Sequence, residues 1–194
     1  MTQRICLFCG AHAGRSPLFA DTAAELGRVL AERGVGLVFG GGRVGLMGIA
    51  ADAALRAGGE VIGVIPEAIR DLEVAHEGLE DLRVVASMHE RKQLMHDLSD
   101  GFVVLPGGHG TLDELFESIT WLQLGYHEKP ICVINLDGYY DPLLAMLDRA
   151  VEEGFVNPEV RALWLVEESV EGALARIEAW EPPETRRWLR RDDL

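Results

Sequence analysis

Short apolar runs alternate along the chain with longer segments whose apolar positions recur every three to four residues. The runs are Ile5 to Cys9, Val35 to Phe39, Val61 to Ile65, Phe102 to Leu105, Ile131 to Ile134 and Leu163 to Val166. Each is short and continuously apolar, which predicts a strand buried on both faces. Helical periodicity predicts helices from Ser16-Pro17 to about Arg33, through Met47 to Leu55, from Ser87 to about Leu98, and from Thr111 to about Leu124. Two more run from about Tyr140 to Glu153 and from Ser169 to Trp180. The boundary signals agree. Pro17 stands at a first helical position, Gly34 and Gly58-Gly59 stand at helix ends, and Ser87 with Glu90 has capping-box spacing. Residues 67–86 carry several acids and no clean period, so a connection with mobile parts is expected there.

Strands alternating with helices predict an α/β fold, a Rossmann-like doubly wound parallel sheet with helices on both faces. No linker, repeat or low-complexity segment breaks the pattern. Residues 1–180 are read as one domain and residues 181–194 as a charged tail. In such sheets a ligand sits outside the carboxyl ends of the strands. Three glycine-rich loops land there, at residues 10–14, 40–45 and 106–110.

Composition narrows the setting. With 194 residues, 48% hydrophobic and 26% charged, the chain is long and apolar enough to bury its own core. No apolar run reaches a membrane span, and the segment after Met1 is too short for a secretory signal, so a cytoplasmic protein without a membrane partner is expected. A net charge of −14 repels phosphate backbones, which argues against a nucleic-acid partner but not against a local anion site. The one basic cluster, Arg186, Arg187, Arg190 and Arg191, is read as part of the solvated tail. Cys6 and Cys9 form a C-x-x-C spacing on a strand, where residues three apart point to opposite faces, so a redox pair is not expected.

The loops carry the candidate chemistry. Gly40-Gly41-Gly42 and Gly45 join a strand to a helix, and their amides could cradle an anion or simply make a tight turn. Pro106-Gly107-Gly108-His109-Gly110-Thr111 repeats the design, with Glu114 three residues on. Thr111 and Glu114 could be a capping box, or a hydroxyl and a carboxylate facing a phosphate ligand. Met88, Arg91 and Met95 share a helical face, where the arginine could snorkel at a helix edge. His89 and His96 lie about 10 Å apart along a helix, and no metal-ligand spacing occurs.

Met88-His89-Glu90-Arg91-Lys92 followed by Pro106-Gly107-Gly108-x-Gly110-Thr111-x-x-Glu114 resembles the Lonely Guy (LOG) family of cytokinin riboside 5′-monophosphate phosphoribohydrolases. Members of that family are often labelled lysine decarboxylases. The resemblance extends through Gly40-Gly41-Gly42, Gly45-Leu46-Met47-Gly48, Val61 to Pro66, Trp121-x-Gln123-Leu124-Gly125 and Asn135-x-Asp137-Gly138-Tyr139-Tyr140. It covers residues 4 to 178. It departs at Ala11-His12, where the family often has two serines after Cys-Gly.

The resemblance implies a homodimer and a hydrolase that needs no cofactor or metal. Its substrate would be AMP or an N6-modified AMP, cleaved to free base and ribose 5-phosphate. Arg91 and Glu114 would be the catalytic pair. Glu73, Met88, Lys92, Gly108, His109, Gly110, Thr111 and Thr120 would contact the nucleotide. Amides of the glycine loops, including Gly41, Gly42 and Gly107, would take the 5′-phosphate. The chemistry is coherent, since breaking an N-glycosidic bond builds positive charge on the ribose that a carboxylate can stabilise. Two rivals remain at this stage. One is a nucleotide or cofactor carrier on the same fold, binding without turnover. The other is a pyridoxal-phosphate decarboxylase, whose Schiff-base lysine could only be Lys92 or Lys129.

Overall fold

The computed structural model describes residues 3–70 and 75–182. Seven strands form one all-parallel sheet in the order β4-β3-β2-β1-β5-β6-β7. They are β1 Arg4–Phe8, β2 Gly36–Phe39, β3 Val61–Pro66, β4 Asp81–Val85, β5 Gly101–Val104, β6 Ile131–Ile134 and β7 Leu165–Glu167. The helices are α1 Pro17–Glu32, α2 Gly45–Arg56, α3 Glu67–Arg70, α4 Met88–Asp97, α5 His109–Leu124, α6 Asp141–Glu152, α7 Pro158–Arg161 and α8 Val170–Glu178.

Strand residues alternate between two cores because successive side chains point to opposite faces. Ile5, Leu7 and Cys9 pack with Leu26 of α1, Ala50 of α2 and Leu174 of α8. Cys6 and Phe8 pack on the other face with Met95 of α4 and Leu115 of α5. Helices therefore cover both faces, as the continuous apolar runs require. Cys6 and Cys9 fall in different cores as free, buried cysteines, and burial pushes both thiols well above their ordinary range.

The predicted ends hold to within a few residues. Gly34 (φ +68°) follows α1, whose first residue is Pro17. Ser87 Oγ accepts the Glu90 N–H at 3.1 Å, while the Glu90 carboxylate accepts from Ala86 N–H at 2.8 Å. Ser169 caps α8 by accepting the Gly172 N–H at 3.1 Å.

One expectation is corrected. Part of the 67–86 connection is a seventh strand, β4, paired with β3 from Ile62↔Asp81 to Pro66↔Val85. It is an edge strand, so only one side is paired and most of its residues are half-buried. Asp81 and Arg83 pair with each other at 3.0 Å on that edge. Polar residues on an exposed edge discourage pairing with another chain, and they also erase the apolar run that reveals a buried strand.

Candidate active site

The chain runs outward from β1 through β2 and β3 to β4, then resumes on the other side of β1 with β5. Between β1 and β5 the outgoing loops diverge and leave a crevice at the carboxyl ends of the strands. A cleft of about 560 Å³ opens there, a size suited to a small ligand. Gly10 to Gly14 forms one wall and Pro106 to Thr111 the other. The Gly10 N–H donates to the Pro106 carbonyl at 3.0 Å and ties the walls together. Leu46 and Met47 of α2, Met88 and Arg91 of α4, and Asp113 and Glu114 of α5 complete the lining with Phe19 and Tyr139.

The turn from β5 into α5 ties back its carbonyls and presents its amides. The Leu105 carbonyl accepts from the Tyr140 hydroxyl at 2.8 Å, and that of Gly107 from the Tyr139 hydroxyl at 2.6 Å. The Pro106 carbonyl is taken by Gly10, and that of Gly108 by the Leu112 N–H at 3.1 Å. Among the described residues the backbone N–H groups from Gly107 to Thr111 find no acceptor. The first turn of a helix has spare donors and the positive end of its dipole. The turn is therefore built to receive an anion. A Cβ on Gly107 would overlap the Thr111 side chain, whereas one on Gly108 or Gly110 would meet nothing within 4 Å. The last two glycines thus keep space clear that no described residue fills.

Thr111 is not the cap of α5. Gly108 holds that position with no side-chain bond, and Thr111 lies in the first turn, 3% exposed. The helix begins two residues earlier than periodicity suggests because glycine and histidine carry no apolar signal.

Arg91 does not snorkel. It is 4% exposed. One guanidinium nitrogen donates to the Gly40 carbonyl at 2.9 Å, and another lies 3.7 Å from the Met88 sulfur. A Cβ on Gly40 would overlap that guanidinium. Glu114 is half-buried on the same cleft. Arg91 and Glu114 thus line the same crevice.

Of the other sequence-derived candidates, Met88, Gly107, Gly108, His109, Gly110 and Thr111 line the cleft. Lys92 does not. It is buried against Asp113 at 3.1 Å and Glu117 at 3.0 Å. Burial pulls its amine down, but the hydrogen bonds to Glu117 and Asp113 outweigh that and hold it above its usual value. Thr120 is exposed, donates to the Phe116 carbonyl at 2.7 Å, and borders a separate hollow with His96, Trp121, Tyr126, His127 and Lys129. Gly41 and Gly42 are buried beneath Ala75 and His76, with the His76 N–H on the Gly41 carbonyl at 2.9 Å. Glu73 and the arginines of the tail lie outside the described residues. Among the described residues no cluster of three or more His, Cys, Asp or Glu is placed to hold a metal ion, and no helix is long and apolar enough to cross a membrane.

Sequence reasoning did not single out Tyr139, Phe19 or His12 for the cleft. The Asn135 to Tyr140 segment offers a signal in retrospect. Asp137 (φ +50°) and Gly138 (φ +67°) make two consecutive left-handed residues. Such a turn fixes where the next side chain points.

A family model described as possible lysine decarboxylase matches residues 47–177. The chain is 46% identical over 181 residues to the probable cytokinin riboside 5′-monophosphate phosphoribohydrolase LOGL5 of Oryza sativa subsp. japonica, covering 93% of this chain and 74% of that protein. It is 44% identical over 180 residues to the cytokinin riboside 5′-monophosphate phosphoribohydrolase LOG7 of Arabidopsis thaliana, covering 93% and 83%. A structure of the molybdenum cofactor carrier protein from Chlamydomonas reinhardtii superposes with a TM-score of 0.69 at 22% identity, covering 92% of this chain and 98% of that one. That likeness concerns the fold alone.

Proposed function

The chain belongs to the LOG family of cytokinin riboside 5′-monophosphate phosphoribohydrolases, and from that premise we propose that it hydrolyses the N-glycosidic bond of AMP or an N6-modified AMP. The products are the free base and ribose 5-phosphate. One observation carries the reading: Arg91, Glu114 and the amide-lined start of α5 share one cleft.

The 5′-phosphate lies on the amides of Gly108 to Thr111 and on the Thr111 hydroxyl. This directs the anomeric carbon along α5 toward Glu114. As the bond from C1′ to the base nitrogen breaks, its electron pair leaves with the base and positive charge grows on the ribose. The Glu114 carboxylate stabilises that charge and takes a proton from the water that attacks C1′. The departing base takes up one proton, so that both products leave neutral at the broken bond, and Glu114 returns to its carboxylate by releasing its own. Arg91 orients Glu114 and contacts the ribose phosphate region. Its buried anchorage to Gly40 supports this role, because a fixed planar guanidinium matches a carboxylate or phosphate bidentately. Met88 borders the nucleotide, and Glu73 is proposed to shape the base pocket. Lys92 supports α5 through Asp113 and Glu117. Thr120 and the buried Gly41 and Gly42 are assigned no direct contact within one chain.

A pyridoxal-phosphate decarboxylase does not fit these residues. A Schiff base needs a neutral lysine amine at the cleft. Lys92 is held protonated by two carboxylates, and Lys129 borders the other hollow, where its amine donates to the His96 carbonyl at 2.6 Å.

A homodimer is part of the proposal, supported by exposed apolar side chains on α5 and just after it, Phe116 and Tyr126. Light scattering that gives a monomer mass at micromolar concentration removes it. The central test is incubation with AMP and with N6-isopentenyl-AMP, followed by chromatography for free base. Release of adenine or of the N6-modified base supports the reading. Nucleotide that binds and stays intact makes the protein a carrier instead.

A further inference from the structure

We propose that Tyr139 is a positioning residue for phosphate recognition, acting through the peptide that joins Gly107 to Gly108. This inference rests on the functional reading above only in taking the ligand to carry a phosphate group.

Four successive carbonyls, from Leu105 to Gly108, are each held by a group from elsewhere in the fold or by the first bond of α5. Three of those holds are buried or belong to the main chain. The Tyr140 hydroxyl is buried with its residue at 2% exposure, the Gly10 bond is backbone to backbone, and the Leu112 bond is helical. The fourth, from Tyr139 to Gly107, comes from a side chain that is 44% exposed and itself lines the cleft. It is the hold made by a solvent-exposed side chain of the cleft itself.

The physical consequence follows from peptide geometry. A trans peptide points its C=O and N–H in opposite directions. Fixing the Gly107 carbonyl on Tyr139 therefore fixes the direction of the Gly108 N–H, the first donor of the amide row. Glycine on both sides leaves that peptide free to turn once the phenol is gone. A turned peptide would present a carbonyl oxygen to a phosphate, replacing an attraction with a repulsion.

The phenol is itself held from two sides. Its ring meets Phe19 edge-on at 5.9 Å and Tyr140 at 4.9 Å. The left-handed Asp137-Gly138 turn precedes it, and the Tyr140 N–H donates to the Asn135 side chain at 2.8 Å. Removing only the hydroxyl keeps those ring contacts.

The test compares Tyr139→Phe with the unaltered protein. Dissociation constants for inorganic phosphate and ribose 5-phosphate should rise about three- to tenfold, the range for one hydrogen bond. KM for AMP should rise by the same factor while kcat moves less than about twofold. Adenine affinity and melting temperature should stay put. Tyr140→Phe is the contrast, lowering the melting temperature because its buried hydroxyl serves the fold. Unchanged phosphate affinity in Tyr139→Phe overturns the inference, and so does an equal loss of adenine affinity. If the unaltered protein releases no base from either AMP or N6-isopentenyl-AMP, the hydrolase reading falls instead, and the phosphate titrations still decide the role of Tyr139.

Discussion

Two glycine-rich turns leave neighbouring parts of the sheet in the same direction, and they serve opposite ends. In the turn after β2, the space beside Gly40 is filled by the Arg91 guanidinium, the space beside Gly41 by Leu82 and Ile65, and the backbone of Gly41 and Gly42 pairs with that of His76 and Ala75. In the turn after β5, among the described residues, Gly108 and Gly110 face open space and the amides are unclaimed. The first turn holds a cation belonging to the protein. The second leaves backbone donors facing the cleft, a chemistry that suits an anion. Glycine content alone cannot separate these cases, since close packing and ligand approach both require the missing Cβ.

The largest expected effect tests what the open turn serves. Glu114→Gln should keep nucleotide affinity within a few-fold and cut kcat by about 10²–10⁴, the range for a lost acid–base group. Turnover at the original rate in single-turnover assays removes Glu114 from the chemistry. The next effect strikes the filled turn. Gly40→Ala should displace the guanidinium, cost about 1–3 kcal/mol in urea unfolding, and lower kcat/KM along with stability. A stable, fully active Gly40→Ala protein would mean Arg91 needs no such seat.

Both turns hang on a body with its own pH limit, which separates damage to the site from damage to the fold. Burial and nearby positive groups hold His96 down to about 3, and burial leads the causes that hold His127 at about 4. In the unfolded chain each imidazole takes its proton near pH 6.5. Below that pH the unfolded chain binds more protons than the folded one, so stability falls as pH falls. The loss should begin near pH 6.5 and reach about 1.2 kcal/mol per pH unit for each histidine near pH 5. Urea titrations that show flat stability from pH 6.5 to 5 contradict this. The smallest effect returns to the open turn. Gly110→Ala should raise stability by about 0.5–1 kcal/mol, because alanine suits a helix better and meets no neighbour. It should also weaken AMP binding, an opposite pairing of signs from Gly40→Ala.

Much of this was legible in the residues. Six strands and both turns follow from apolar runs and glycine punctuation, and Arg91 and Glu114 from the resemblance. The strand Asp81–Val85 was not legible, because Asp81 and Arg83 give it a polar exposed edge. Nor was the difference between the turns. What fills the space beside Gly40 arrives from 51 residues away. What orients Gly107 arrives from 32 residues away. Local pattern cannot report partners at that range. The partners of Lys92 were illegible for the same reason, since Asp113 and Glu117 on α5 reach its amine from 21 and more residues away.

The central place of β1 has a consequence for biosynthesis. Ile5 pairs with Leu37 on one side and Gly101 on the other, so its second neighbour leaves the ribosome about 100 residues later. Until then the buried central strand of the sheet has an unfinished border, open to another nascent chain. A chaperone that covers this border during that interval would raise the yield of folded protein.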